Sequence, residues 1–299
     1  LGVKPDDEVI TSAHSWISSS EAISQAGAKP VFVDTNQYFC IDEHLIEASI
    51  TEKTKGIIPV HLYGHAANMD KIMQVATKHN LFVVEDCAQA ILTKWNNSYV
   101  GTFGAAGTIS FFPGKNLGAY GDAGGIITEH QELFLEMKKY ANHGSLSKHM
   151  HEIEGINSRL DSLQAAILNV KIKYIETWIS QRNEAAEVYR EHLAGIDQIT
   201  LPQTHELCDH TYHLYVIKTD FRDELAVFLK DAGIDTGIHY PKALPTLDCY
   251  KYLDLDFTQF PNAIKDCSSI LSLPIFPEIS SLEIKYIAEQ IRDFFKLQS

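Results

Sequence analysis

The chain has 299 residues and a net charge of −14, from 39 acidic and 25 basic residues. Such an acidic composition disfavours nucleic acid and anionic membranes as partners, but it is compatible with an anionic ligand in a local basic pocket. Because the sequence has neither an apolar run long enough to span a bilayer nor a basic-then-apolar leader, we expect a cytoplasmic protein without a membrane segment.

Apolar strands and amphipathic helices alternate over the first half of the chain. This alternation predicts an α/β fold with a mostly parallel sheet covered by helices on both faces. The predicted strands are Glu8 to Thr11, Pro30 to Asp34, Thr54 to His61 and a run from Leu81 that ends in Glu85 and Asp86. The predicted helices are Ser19 to Ala26, Ile41 to Ile50, Met69 to Lys78 and Glu132 to Ala141.

The pattern of strands and helices in the second half of the chain predicts a smaller α+β domain. A long amphipathic helix after Asp161 runs to about Leu193, and we place the domain boundary within it, near Arg182. The predicted domains are therefore a large one over residues 1–182 and a small one over residues 183–299. The small domain is predicted to contain a strand at Tyr212 to Lys218, a helix at Asp223 to Ala232, a short strand ending at Pro241 and a helix at Leu282 to Phe295.

One acid stands where α/β proteins bind ligands. Asp86 closes a continuous apolar strand, and the carboxyl ends of buried parallel strands form the ligand edge of such sheets. Gln89 follows three residues later. The pattern is equally compatible with Asp86 as the N-cap of a helix.

Lys115 lies in a glycine-rich turn between two predicted strands. The five nearby glycines predict backbone at positive φ and close approach of a flat ligand. They are Gly114, Gly118, Gly121, Gly124 and Gly125. A lysine desolvated in such a turn becomes a nucleophilic amine, whereas the alternative is an ordinary surface lysine. An acid at one strand end and a lysine at another fit pyridoxal phosphate, whose ring nitrogen requires the acid and whose aldehyde forms a Schiff base with the lysine.

Metal and dinucleotide chemistry are disfavoured. Of 14 histidines, His61 and His65 have helical ligand spacing, but Gly64 interrupts it, so we expect no metal site. His61 is left as either a substrate contact or a structural histidine. The five cysteines are odd in number and lack Cys-x-x-Cys spacing, which is typical of reduced thiols. The glycines after Lys115 have the wrong spacing and position for a dinucleotide fingerprint.

Several short sequence motifs occur in the same order as in one known protein family. They include Gly-Ala-Lys-Pro-Val-Phe-Val-Asp, Glu-Asp-Cys-Ala-Gln-Ala, Ser-Phe-Phe-Pro-Gly-Lys-Asn-Leu-Gly, Asn-Ser-Arg-Leu-Asp and His-Tyr-Pro. From Gly2 to Phe294 the chain resembles the sugar aminotransferases of the DegT/DnrJ/EryC/StrS type. The resemblance implies the pyridoxal-phosphate-dependent transferase fold of type I, as in aspartate aminotransferase, and activity on nucleotide-linked keto sugars.

The resemblance also implies roles for residues around the cofactor. Lys115 would hold pyridoxal 5'-phosphate, Asp86 would keep its ring nitrogen protonated, and Gln89 would bond the ring oxygen. Trp16 would stack on the ring and Ser110 would bond the phosphate. From the residues alone, Trp16 is also compatible with a core tryptophan and Ser110 with a satisfied core hydroxyl.

Two further sites follow from the same resemblance. Asn157 would reach the cofactor phosphate of the neighbouring subunit, making a homodimer with shared active sites, although an N-cap role is compatible with its position. His239 and Tyr240 would face the substrate, or else pack at a strand end.

The reaction implied is transfer of an amino group from glutamate to a nucleotide-linked keto-deoxysugar, as in deoxyamino sugar and lipopolysaccharide O-antigen biosynthesis. The words Ala-His-Ser-Trp-Ile-Ser and Gly-Ala-Tyr-Gly-Asp-Ala-Gly resemble the subgroup acting on dTDP-3-keto-6-deoxyhexoses. UDP- or GDP-4-keto sugars are the alternative substrates. A dehydratase branch has histidine in place of the lysine, so Lys115 disfavours that activity.

The start of the chain leaves a non-enzymatic alternative. The sequence opens at Leu1 rather than Met and lacks the Ser/Asn-Gly-Thr-x-Ala turn with which family members hold the cofactor phosphate. We therefore expect an upstream segment to be missing from this sequence. An inactive fragment that retains the fold is the corresponding alternative.

Overall fold

The computed structural model describes residues 1–298, which contain eleven strands and eight α-helices. The strands are β1 (Glu8–Ser12), β2 (Lys29–Val33), β3 (Thr54–Ile58), β4 (Phe82–Asp86), β5 (Lys94–Trp95), β6 (Ser98–Tyr99), β7 (Ala106–Ser110), β8 (Gly124–Ile127), β9 (Cys208–Asp209), β10 (Tyr215–Lys218) and β11 (Ile270–Leu273). The helices are α1 (Ser18–Gln25), α2 (Met69–His79), α3 (Gln131–Ala141), α4 (Ser162–Lys171), α5 (Ile175–Leu193), α6 (Arg222–Asp231), α7 (Pro261–Ser269) and α8 (Ser281–Gln298).

The central sheet has six strands in the order β2-β1-β3-β4-β7-β8. All neighbours are parallel except β7 and β8, which are antiparallel. Ile10, Ile57 and Val83 contribute to a fully buried core on the sheet. The mostly parallel α/β sheet predicted from the sequence is therefore confirmed, and the carboxyl ends of β1, β3, β4 and β7 meet along one edge.

Coverage of the sheet is less complete than predicted. The edge strand β8 is largely exposed, and α3 has no buried residue. The described chain has no helix that is both long and apolar enough to cross a membrane.

The predicted helix from Ile41 to Ile50 is wrong. Ile41 is fully buried and forms a bridge with Thr35, and the Asp42 amide donates to the Asp34 carbonyl at 2.9 Å. These contacts hold the start of the segment in a turn, so only a 3-10 turn at Glu47–Ser49 forms.

Three other boundaries differ from the prediction. The long helix is interrupted by a 3-10 turn at Ile172–Tyr174, which separates α4 from α5. The strand predicted from Tyr212 begins only at Tyr215, because Tyr212 has a φ of 40°. The strand predicted to end at Pro241 is reduced to a single bridge between Gly237 and Ser272.

The C-terminal part builds its own core and also shares one with the sheet. Helices α5, α6 and α8 pack around the two-stranded sheet of β10 and β11. A separate cluster, which we call the shared cluster, joins Val60 and Leu62 after β3 to Val216 and Ile270 of the small sheet. Helix α5 runs unbroken through Arg182, and the division at this residue stays a prediction.

Candidate active site

Lys115 lies in the turn that connects β7 to β8. Its backbone amide donates to the Phe112 carbonyl at 2.8 Å, and its side chain is half-buried. Burial lowers the pKa of Lys115, and the nearby Asp86 carboxylate offsets part of this shift. Within residues 1–298, no hydrogen bond or ion pair to the Lys115 amine is formed, so the group is free to act on a ligand.

The glycines near Lys115 do not have the positive φ that was predicted, and one of them is required by close backbone packing. None of the five has positive φ, so that prediction is wrong. A Cβ atom on Gly118 would lie 2.2 Å from the Pro113 carbonyl oxygen. This glycine therefore lets the two sides of the turn approach closely, which folds the Lys115 turn back on itself.

Asp86 lies at the carboxyl end of β4 and is held by two donors. Ser19 Oγ donates to Asp86 Oδ2 at 2.7 Å, and the Ala88 amide donates to Oδ1 at 3.1 Å. Ser19 is the second residue of α1, and its hydroxyl is 2.9 Å from that of Ser15. No helix of the described chain begins at Asp86, so the N-cap alternative is wrong.

Gln89 is buried in a network that reaches both halves of the chain. Its Oε1 accepts from the Tyr63 amide at 2.7 Å, and its Nε2 donates to the Tyr240 hydroxyl at 3.0 Å. Burial raises the pKa of Tyr240 to about 12, helped by the Asp86 carboxylate and opposed by the Gln89 bond. The Tyr240 amide donates to His14 Nε2 at 3.0 Å. Burial lowers the pKa of His14 to about 4, which keeps this imidazole neutral.

Trp16 and His239 lie beside this network. The Trp16 side chain is 58% exposed, and its ring lies 5.4 Å from that of Tyr240. The core-tryptophan alternative is therefore wrong. His239 Nδ1 is 2.8 Å from Ser272 Oγ, and burial and the Lys115 charge lower its pKa. His239 and Tyr240 thus combine packing contacts with positions close to Lys115 and Asp86.

Ser110 and Asn157 differ in their surroundings. Ser110 ends β7, is half-buried, and accepts a hydrogen bond from the Phe112 amide at 3.2 Å. Asn157 is exposed, and its Oδ1 accepts from Arg159 Nε at 3.0 Å. Because Asp161 occupies the N-cap position of α4, Asn157 is not an N-cap.

A buried cluster of His61, Glu85 and Cys87 brings potential metal ligands within 4.8 Å of one another. Glu85 accepts from the amides of Gly101, Phe103 and Gly104 at 2.7–2.9 Å. The Ala67 amide donates to His61 Nδ1, so Nε2 carries the proton and donates to Glu85 at 3.2 Å. These bonds use the lone pairs that a metal needs. His61 is therefore a satisfied structural histidine, and the expectation of no metal stays a prediction.

Glu85→Gln is expected to destabilise the fold by about 3 kcal/mol, because the oxygen that becomes an amide nitrogen leaves two buried donors without an acceptor. Burial alone raises the pKa of Glu85, but bonds from His61, Gly101 and Gly104 outweigh it, and the net pKa is lowered. A lowered pKa means that this stability is present above the unfolded-state pKa and is lost as the pH falls through the folded-state pKa. Thermal unfolding followed by circular dichroism between pH 3 and pH 8 measures both effects.

The exposed Glu47 provides the matched control for that experiment. It pairs with Lys78 and His79 at the surface, so Glu47→Gln should leave the melting temperature nearly unchanged. Equal melting temperatures for Glu85→Gln and the unchanged chain at pH 7 would contradict the structural role of Glu85.

Sequence reasoning missed several residues that shape the site. His14 and Tyr63 contact the His239–Tyr240 segment, Ser19 holds Asp86, and Asn116 and His213 contact each other next to Lys115. Only Asn116 carried a local signal, its position directly after the lysine. The others come from segments distant in sequence from Lys115, and nothing in their local pattern marks them.

Comparison with known proteins then identifies the family. The sequence profile of the DegT/DnrJ/EryC1/StrS aminotransferase family matches residues 1–292. The chain belongs to this aminotransferase family. It is 45% identical to the pleiotropic regulatory protein of Geobacillus stearothermophilus, over 99% of this chain and 80% of that protein. It is 37% identical to the dTDP-3-amino-3,4,6-trideoxy-alpha-D-glucose transaminase of Streptomyces venezuelae, over 98% of this chain and 78% of that protein. Other DegT/DnrJ/EryC1/StrS relatives are named for UDP- and GDP-linked sugars.

Solved structures of proteins similar in sequence have the same fold. S. venezuelae DesV, in complex with a ketimine intermediate, superposes with a TM-score of 0.95 at 37% identity, covering 98% of this chain and 79% of that one. Bacillus subtilis NtdA, with bound cofactor PMP, superposes with a TM-score of 0.89 at 34% identity. The match covers 99% of this chain and 69% of that one. The predicted type I fold of pyridoxal-phosphate-dependent transferases is therefore confirmed.

Proposed function

We propose that this chain is a pyridoxal-phosphate-dependent aminotransferase that delivers an amino group to a nucleotide-linked keto sugar. The observation that carries the proposal is that Lys115 and Asp86 lie within electrostatic reach of each other at the carboxyl edge of the sheet. Burial lowers the pKa of Lys115, and the Asp86 carboxylate acts on it in the opposite direction. Family membership supports the same chemistry.

The residues at this edge fit the cofactor. An unbonded amine, a carboxylate fixed by Ser19, and an exposed aromatic face are the groups that a pyridine ring with an aldehyde requires. Lys115, Asp86 and Trp16 supply them. Ser110 would hold the phosphate from the end of β7, and Gln89 would use the second hydrogen of its Nε2 for the ring oxygen. Pyridoxal phosphate, when bound, supplies an electron sink for charge developing at the carbon next to the reacting nitrogen.

The side chains of this chain then hold and move protons. Asp86 would accept a hydrogen bond from the ring nitrogen and keep it protonated, and Ser19 holds the carboxylate in one orientation. Lys115, whose pKa burial lowers, would hold and move the proton as general base and acid. His239 and Tyr240, which interact electrostatically with Lys115 and Asp86 respectively, would contact the sugar.

For the substrate we propose a dTDP-3-keto-6-deoxyhexose, with glutamate as donor. This proposal is supported by the sequence motifs around Trp16 and after Lys115. It is also supported by the 37% identity to a transaminase named for a dTDP-linked sugar. Relatives named for UDP- and GDP-linked sugars support the alternative. We further propose a homodimer in which Asn157, exposed in this chain, reaches the cofactor phosphate of the second subunit.

The proposal is tested by titrating the purified chain with pyridoxal phosphate and following the visible absorbance. The loaded protein is then incubated with glutamate and a panel of dTDP-, UDP- and GDP-linked keto sugars, and amino sugars are detected by mass spectrometry. We expect an amino product from a dTDP-3-keto sugar. Products from UDP-4-keto sugars alone would overturn the substrate proposal. Absence of both absorbance and product would favour an inactive fragment.

A further inference from the structure

A pair of buried side chains ties the Lys115 turn to the C-terminal half of the chain. Asn116 Nδ2 donates to the Thr211 carbonyl at 3.2 Å, and Asn116 Oδ1 lies 3.1 Å from His213 Nδ1. Both side chains are less than a tenth exposed. Because the bond to Thr211 fixes the amide orientation, Oδ1 is the acceptor and His213 Nδ1 carries the proton.

The segment that carries His213 is buried and bonded to α5 through its backbone. Arg182 Nη1 donates to the Tyr212 and His213 carbonyls at 3.1 and 3.3 Å. A cavity of about 590 Å³ lies on the α5 side of the same segment and is lined in part by His210 and Thr211. The bonds from Arg182 hold the backbone that carries His213, so the His213 imidazole is a fixed partner for Asn116.

We infer that Asn116 and His213 are positioning residues that hold the Lys115 amine in its desolvated place beside Asp86. Lys115 has no hydrogen-bond partner of its own within residues 1–298, so the backbone of its turn decides where the amine lies. The adjacent Asn116 ties that backbone to the segment that carries Thr211 and His213. The relevance of this clamp to catalysis rests on the proposed function of Lys115.

His213 is held uncharged in this clamp. The titratable groups that face the Lys115 amine are Asp86 from β4, His213 and His239. Burial, with the nearby charges of Lys115 and Arg182, lowers the pKa of His213 well below its usual value. The imidazole thus donates to Asn116 without placing a second positive charge next to the lysine.

The test measures how readily Lys115 reacts in the full chain without added cofactor. The amine is labelled with trinitrobenzenesulfonate across a range of pH, and the extent at Lys115 is read by peptide mass spectrometry. Loss of the clamp lets water reach the amine, so its pKa rises toward the ordinary value. In Asn116→Ala and His213→Ala, the labelling rate at pH 8 should fall about tenfold relative to its plateau at high pH.

Two variants separate positioning from a general loss of structure. Asn183 Nδ2 donates to the His210 carbonyl and the Ile179 carbonyl, so Asn183→Ala loosens the same segment without touching the Lys115 turn. It should leave the pH profile of Lys115 labelling unchanged. His213→Asn keeps a donor at the position of Nδ1 and should restore the unchanged chain's profile.

The outcomes are distinct from those of the functional proposal. An unaltered labelling profile in Asn116→Ala and His213→Ala would overturn the clamp, as would an equal shift in Asn183→Ala. Failure of the unchanged chain to gain visible absorbance with pyridoxal phosphate would count against the proposed function while leaving the labelling result valid. Circular dichroism of each variant checks that it is folded.

Discussion

Lys115→Ala should eliminate covalent retention of pyridoxal phosphate and lower the transamination rate by about 10⁴-fold or more. The substitution removes the amine that would both hold the cofactor and transfer the proton, and such general acid–base groups alone contribute up to about 10⁴-fold. The turn itself should persist, because its bonds come from the backbone of Phe112 and Lys115 and from Asn116. Visible absorbance after gel filtration measures retention, and product formation measures turnover.

Lys94 offers a matched control for this substitution. It is also half-buried and has an acidic partner, Asp209, 3.6 Å away. Lys94→Ala should bind the cofactor and turn over like the unchanged chain. Retained absorbance in Lys115→Ala would show that another amine holds the cofactor and would contradict the central assignment.

Asp86→Asn should lower turnover by about 10²- to 10³-fold while leaving the cofactor covalently held. Asparagine keeps the shape and an oxygen for Ser19, but it lacks the charge that stabilises a protonated ring nitrogen, and one electrostatic contact of this kind is worth about that factor. The variant should also shift the pH dependence. Since the Asp86 carboxylate raises the pKa of Lys115 against the effect of burial, its removal lowers that pKa further and moves the corresponding limb of the rate profile to lower pH.

Asp34 is the control for loss of a buried carboxylate at a strand end. It follows β2 in the same sheet and accepts from the amides of Asn262 and Ala263 at 2.9 and 2.8 Å. Asp34→Asn should lower the melting temperature but leave the rate per folded molecule unchanged. A rate for Asp86→Asn equal to that of Asp34→Asn would refute a specific role for Asp86.

The sheet and the two central side chains were predictable because their signals are local. A continuous apolar strand ending in Asp86 predicts an acid at the ligand edge. A lysine between two β-rich runs predicts a turn at that edge. The assignments of Trp16, Ser110 and Asn157 came instead from resemblance to a family, since their local patterns also fit core or capping roles.

The errors arose where tertiary contacts override local pattern. Ile41 has helical apolar spacing, yet its burial against Thr35 bends the chain instead. The glycines around Lys115 look like positive-φ positions, but Gly118 is required by close approach to Pro113. Asn116 and His213 are separated by 97 residues, and no periodicity of either segment indicates that they meet.

The shared cluster has a consequence for protein engineering. Because Val60 and Leu62 pack directly against Val216 and Ile270, the N-terminal and C-terminal parts of this chain must have complementary side-chain shapes. A chimera that joined residues before α5 to the C-terminal half of another aminotransferase would inherit mismatched volumes at this junction. An exchange of substrate preference between relatives therefore requires that all four of these residues are taken from the same parent protein.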